Sequence, residues 1–140
     1  MEINYIAVIG ATIVAMGVGA LWYSPMLFAK KWMEVIGVTN ADYEANKAEK
    51  NRMMMKLLAL QLVLTFVQAY IIAHFIKAWS DASGVETALF IFVGFVVPTL
   101  AMNSMWGNES SKNAWMRFLI QAGGQLVIFV LFGLIFGMWG

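Results

Sequence analysis

Apolar and polar residues do not alternate along this chain; they separate into long blocks. No Asp, Glu, Lys or Arg occurs from Ile3 to Ala29, from Leu57 to Ile76 or from Phe118 to Gly140, and a fourth charge-free block, Thr87 to Asn108, is interrupted only by Pro98. At a rise of about 1.5 Å per residue, roughly 20 apolar residues cross the ~30 Å hydrocarbon core of a bilayer. Each block meets that length. The pattern predicts an all-α membrane protein with four transmembrane helices, about residues 4–23, 57–76, 87–105 and 118–139, forming one domain over 1–140.

Finer periodicity places further elements. In span one Ala7, Ala11, Ala15 and Gly19 recur at steps of four, and small residues at that spacing let helix backbones approach closely where lipid offers no hydrophobic drive. Ser24-Pro25 reads as an N-cap followed by proline in the first helical turn. From Pro25 to Ile36, Phe28, Trp32, Val35 and Ile36 share one face and Lys30, Lys31 and Glu34 the other, which predicts a short interfacial helix over about 25–36 that Gly37 stops. Thr39 to Asp42 has capping-box spacing, and the polar run from Ala41 to Lys56 predicts a cytoplasmic extension of span two. The charges of that extension, Glu44, Lys47, Glu49, Lys50 and Arg52, read as a solvated face or as a docking surface for a partner or lipid headgroups.

In span three Pro98 cannot donate to the Gly94 carbonyl, which predicts a kink and a freed acceptor inside the membrane. Span four carries Gly123-Gly124 and a GxxxG pair, Gly133 and Gly137, fitted to close packing within the chain or between subunits. Trp22, Lys30, Lys31 and Trp32 after span one are echoed by Trp106, Lys112 and Trp115 after span three, as a parallel repeat or the shared topology would produce.

Composition narrows the class. Hydrophobic residues make up 61% of the chain and charged residues 12%, against about 25% charged in an ordinary soluble domain. Four spans leave space for one long loop and no separate soluble domain. There is no cysteine, so disulfides, thiolate nucleophiles and Cys-ligated metals are excluded. Glu2 and an apolar run without a basic leader segment predict a retained first span rather than a signal peptide.

Of nine Lys and Arg residues, six lie in loop one, two (Lys112 and Arg117) in loop three and only Lys77 in loop two. Basic residues near span ends stay in the cytoplasm, so loops one and three are expected inside and both termini outside. Trp22, Tyr23, Trp32, Trp106 and Trp115 gather at the proposed inner interface, and Tyr5, Trp79 and Trp139 at the other. The net charge of +1 gives no basic patch for nucleic acid.

The polar residues inside the spans are mostly amides. Gln61, Thr65 and Gln68 line one face of span two, Asn103 and Ser104 sit near the inner end of span three, and Gln121 and Gln125 share a face of span four. Two readings are open: the amides bond one another and fix helix register, or Gln61, Thr65, Gln68, Asn103, Gln121 and Gln125 line a polar cavity open to the cytoplasm. No carboxylate, Lys or Arg lies mid-membrane, so proton-coupled export of the small multidrug type is disfavoured. His74, the only histidine, reads as an interfacial hydrogen-bonding group, and Asp81 and Glu86 are the only carboxylates near it. Asn108-Glu109-Ser110 matches a glycosylation sequon on the expected cytoplasmic side and is discounted.

The run from Gly19 through Trp22, Tyr23, Ser24, Pro25, Phe28, Lys30 and Trp32 resembles the opening signature of the family called domain of unknown function 1761, small bacterial integral-membrane proteins. Gly94-Phe95 through Asn103-Ser104, and Gln121-Ala-Gly through Gly137-Met-Trp139, are similar to it as well. The resemblance implies a compact four-span fold in a bacterial inner membrane, with Trp22, Tyr23, Pro25, Phe28 and Trp32 acting together. It brings no activity and no catalytic residue.

The expectation is therefore a non-enzymatic protein with no catalytic residue, metal site or cofactor. Its partners would be the lipid bilayer and either further copies of itself, joined through Ala7, Ala11, Ala15, Gly19, Gly133 and Gly137, or a larger membrane partner. A small transporter or channel using the amides is the alternative. A lipid-handling enzyme ranks third, for want of Ser, His, Asp, Glu or Cys constellations at membrane depth.

Overall fold

The computed structural model describes residues 2–37, 39, 41, 45, 47–107 and 109–140. They form α1 (Tyr5–Trp22), α2 (Ala29–Ile36), α3 (Lys47–Ala78), α4 (Gly84–Ile91), a wide π turn (Phe92–Val96), α5 (Val97–Met105) and α6 (Ser111–Trp139), with no strand among them. Four rods, α1, α3, Gly84–Met105 and α6, are long and apolar enough to cross a membrane, which marks a multi-pass membrane protein. Asp42 of the Thr39 capping box, Glu44 of the polar extension and Asn108 of the sequon lie outside the described residues.

Helix α6 touches every other element. Its Phe129, Phe132 and Phe136 stack in a ladder with ring centroids 5.9 and 6.1 Å apart, and Phe92 of the π turn joins at 5.8 Å from Phe129. Such ring pairs contribute about 0.5–1.5 kcal/mol each beyond the area they bury. Small residues on the facing helices leave the ladder its space: Ala7, Ala11 and Ala15 of α1, and Ala69 and Ala73 of α3, are all buried in this core.

Both chain ends lie at one end of the molecule. Asn4 donates its side-chain N–H to the Trp139 carbonyl at 3.0 Å, and the Lys77 ammonium donates to the Glu2 carbonyl. Helix α4 starts at the same end with a full capping box: the Ser83 hydroxyl accepts from Glu86 N at 3.1 Å, and the Glu86 carboxylate accepts from Ser83 N at 2.9 Å. Gly84 then seats α4 against α6. A Cβ on Gly133 would lie 2.6 Å from Val85 Cα and 2.8 Å from the Gly84 oxygen, so no side chain fits there.

One local expectation is corrected. The short helix after span one begins at Ala29, not at Pro25, because Ser24 turns backwards: its hydroxyl donates to the Leu21 carbonyl at 2.6 Å, and Phe28 N reaches the Trp22 carbonyl at 3.1 Å, so residues 23–28 form a turn. Gly37 does stop α2, in the left-handed region with φ 77°. In span three the chain answers the missing N–H of Pro98 with the π turn. Val97 N donates five residues back to the Phe92 carbonyl, which widens the helix where the proline ring needs space. The Thr99 hydroxyl donates to the Phe95 carbonyl at 2.5 Å.

Candidate functional site

Helix α3 runs beside α1 only over part of its length. The two meet where the Thr65 hydroxyl lies 3.8 Å from Met16 Sδ, and from Asn51 to Leu64 every residue of α3 is exposed. Gly17 and Gly19 of α1 consequently face open space, with nothing within 4 Å of an added Cβ. The small-residue ridge of α1 is thus used inside the fold at Ala7, Ala11 and Ala15 and ends before Gly19. Gly133 is likewise used internally, against Gly84, while Gly137 would accept a Cβ at an ordinary 3.5 Å.

The amides differ in exposure. Gln61 and Asn103 are exposed; Gln68, Gln121 and Gln125 are half-buried. None of their side chains hydrogen-bonds another, and the enclosed Gln125 Oε1 has no partner. Two hydroxyls are satisfied locally, as is usual for threonine in a membrane helix: Thr65 donates to the Gln61 carbonyl and Thr12 to the Val8 carbonyl, each at 2.7 Å. Two cavities, of about 390 and 260 Å³, open at opposite ends of the molecule, and neither is lined by any residue of the amide set.

The aromatic motif after span one comes together. Trp22 lies flat on α6, where a Cβ on Gly123 would sit 2.9 Å from its ring and one on Gly124 3.1 Å, and its indole N–H donates to the Ile120 carbonyl at 2.8 Å. Phe28 stacks on Trp22 with centroids 4.7 Å apart, and Trp32 meets Tyr23 edge-on at 5.1 Å. Pro25 is exposed at the tip of the turn that makes these contacts. Trp22 and Gly123-Gly124, read separately in the sequence, are one knob and its socket.

Several titratable groups are engaged in structure. His74 stands edge-on to Tyr70 at 4.6 Å, and Glu86 belongs to the capping box of α4. The sequence reading missed an ion pair between Glu109 and Arg117, each side chain about three-quarters buried, that closes over Gly107 in loop three. Only the separation of eight between opposite charges pointed to it, and the turn at Gly107 that joins them is a tertiary feature. Among the described residues no three of His, Asp and Glu come together as metal ligands would.

The family model described as "Protein of unknown function (DUF1761)" matches residues 6–137. The chain belongs to this family. The match takes in nearly all of the four rods and the packed turn at Trp22. No curated protein and no solved structure matches the chain.

Proposed function

We propose that this member of DUF1761 is a non-enzymatic protein of a bacterial inner membrane that works as a homo-oligomer joined along α3, with loops one and three in the cytoplasm and both termini outside. The observation that carries the reading is a seam. Met54, Leu57, Gln61, Leu64, Gln68, Ile71 and Phe75 follow one another at alternating steps of three and four, the heptad period that keeps one stripe of a helix against a partner. Gln68 is half-buried and the rest are exposed, because the chain packs on the neighbouring stripe of Thr65, Ala69, Ile72 and Ile76.

Two glutamines on such a seam are costly against lipid unless their donors and acceptors are met. A second copy related by a two-fold axis along the membrane normal sets Gln61 against Gln61 and Gln68 against Gln68. A carboxamide carries both donor and acceptor and is therefore complementary to itself, each pair contributing about 0.6 to 2 kcal/mol. Ala7, Ala11, Ala15 and Gly133, first expected to join subunits, are occupied within one chain, and α3 offers the longest exposed stripe for assembly. A larger membrane partner with its own intramembrane amide would meet the same seam.

The test is subunit counting in bilayers for the natural chain and a Gln61→Leu, Gln68→Leu double variant. Loss of the oligomer with monomer stability unchanged supports the reading; an unchanged subunit count rejects it. A second reading, a solute path, rests on the enclosed and unpartnered Gln125 Oε1. It requires a flux in proteoliposomes that Gln125→Leu removes while the oligomer persists.

A further inference from the structure

The smaller cavity, about 260 Å³, lies between α5 and the start of α6, and its lining includes Ser104, Gly107, Glu109, Ser111, Ala114 and Trp115. Ser104 and Glu109 each hold an enclosed oxygen without a hydrogen-bond partner, as does the Nε of Arg117 beside Glu109. Ser104 is 7% exposed and its hydroxyl bonds nothing. One oxygen of Glu109 is held by Arg117, while the other, Oε2, is enclosed and unpaired. Native structures seldom leave several enclosed polar atoms around one cavity unsatisfied, so such a set calls for an occupant that satisfies them.

The chemistry of the walls defines that occupant. A carboxylate oxygen and a hydroxyl can both accept from N–H donors, and Trp115 in the same lining is an aromatic residue of the kind that attracts a cation. At the other wall stands the N-terminus of the long helix α6. Ser110 caps Asn113 N at 3.3 Å, so the first-turn N–H groups at Ser111 and Lys112 keep no helical acceptor and attract an anion. An ammonium and a phosphate a few ångströms apart fit both walls. Met105, also in the lining, and the adjoining Trp106 are 67% and 86% exposed at the end of α5, where a lipid headgroup would lie.

We infer that this cavity binds a phosphoethanolamine group, its ammonium donating to Glu109 and Ser104 and its phosphate at the first turn of α6. Phosphocholine offers no N–H and is the natural discriminator. The site is independent of assembly along α3.

Purified protein, exchanged into equal mixtures of phosphatidylethanolamine and phosphatidylcholine, is analysed by native mass spectrometry for retained lipid. The expected result is about a tenfold preference for the ethanolamine lipid, the scale of one charge-assisted hydrogen bond, falling to near parity in Ser104→Ala and in Glu109→Gln. Ser104→Ala removes one oxygen and leaves the helix intact, so it serves even if Glu109→Gln disturbs loop three. Added glycerophosphoethanolamine that displaces the lipid shows that a soluble headgroup also fills the cavity; failure to displace it assigns the site to the lipid. Equal retention of both lipids, or a preference that survives both substitutions, overturns the proposal.

Discussion

The indole N–H of Trp22 donates to the main-chain oxygen of Ile120 at 2.8 Å across 98 residues of sequence. It closes one end of the α1–α6 contact, as Asn4 and Trp139 close the other. Trp22→Phe should keep most of the ring packing and lose the donor, costing about 1 kcal/mol. Trp22→Ala leaves the Gly123-Gly124 socket empty and should cost about 3–5 kcal/mol. Denaturant unfolding in mixed micelles orders the two, and equal losses would mean that the ring packs less closely than described.

Gly133 and Gly137 belong to one GxxxG pair but should respond differently. A Cβ on Gly133 runs into backbone atoms of α4, which cannot turn aside, so Gly133→Ala should destabilise the monomer by about 1–3 kcal/mol. Gly137→Ala meets only ordinary contacts and should lie within about 0.5 kcal/mol of the natural chain. The comparison is made under conditions where the protein is monomeric, which separates folding from assembly.

At the start of α4, Ser83→Ala removes one half of the reciprocal cap and should cost about 1 kcal/mol. Glu86→Gln keeps a side-chain acceptor for Ser83 N and should cost less than Glu86→Ala. Hydrogen exchange of the first-turn amides of α4 reads the effect locally: faster exchange in Ser83→Ala and Glu86→Ala, and near-natural rates in Glu86→Gln.

The four rods were legible because charge-free blocks of membrane length have few other solutions, and the αL stop at Gly37 because glycine adopts that conformation at little cost. The start of α2 was misread because Ser24 can cap forwards or bond backwards, and the choice is made by Trp22 and Phe28 stacking across the turn. The π turn follows from Pro98, but a proline alone does not say whether a helix bends or widens. For the amides, spacing grouped Gln61, Thr65 and Gln68 on one face of α3, whereas Thr65 is buried against the chain and Gln61 is exposed, because burial depends on where α1 and α3 part. That divergence is set by tertiary packing around α6, and no local pattern encodes it.

The most direct test of assembly along α3 uses the absence of native cysteine. Leu57→Cys on the seam and Ile13→Cys on α1 place single thiols at positions of similar exposure, 58% and 64%. In bilayers under mild oxidation, Leu57→Cys should form a covalent dimer and Ile13→Cys should remain monomeric. No dimer at position 57, or equal dimer at both positions, would contradict the account.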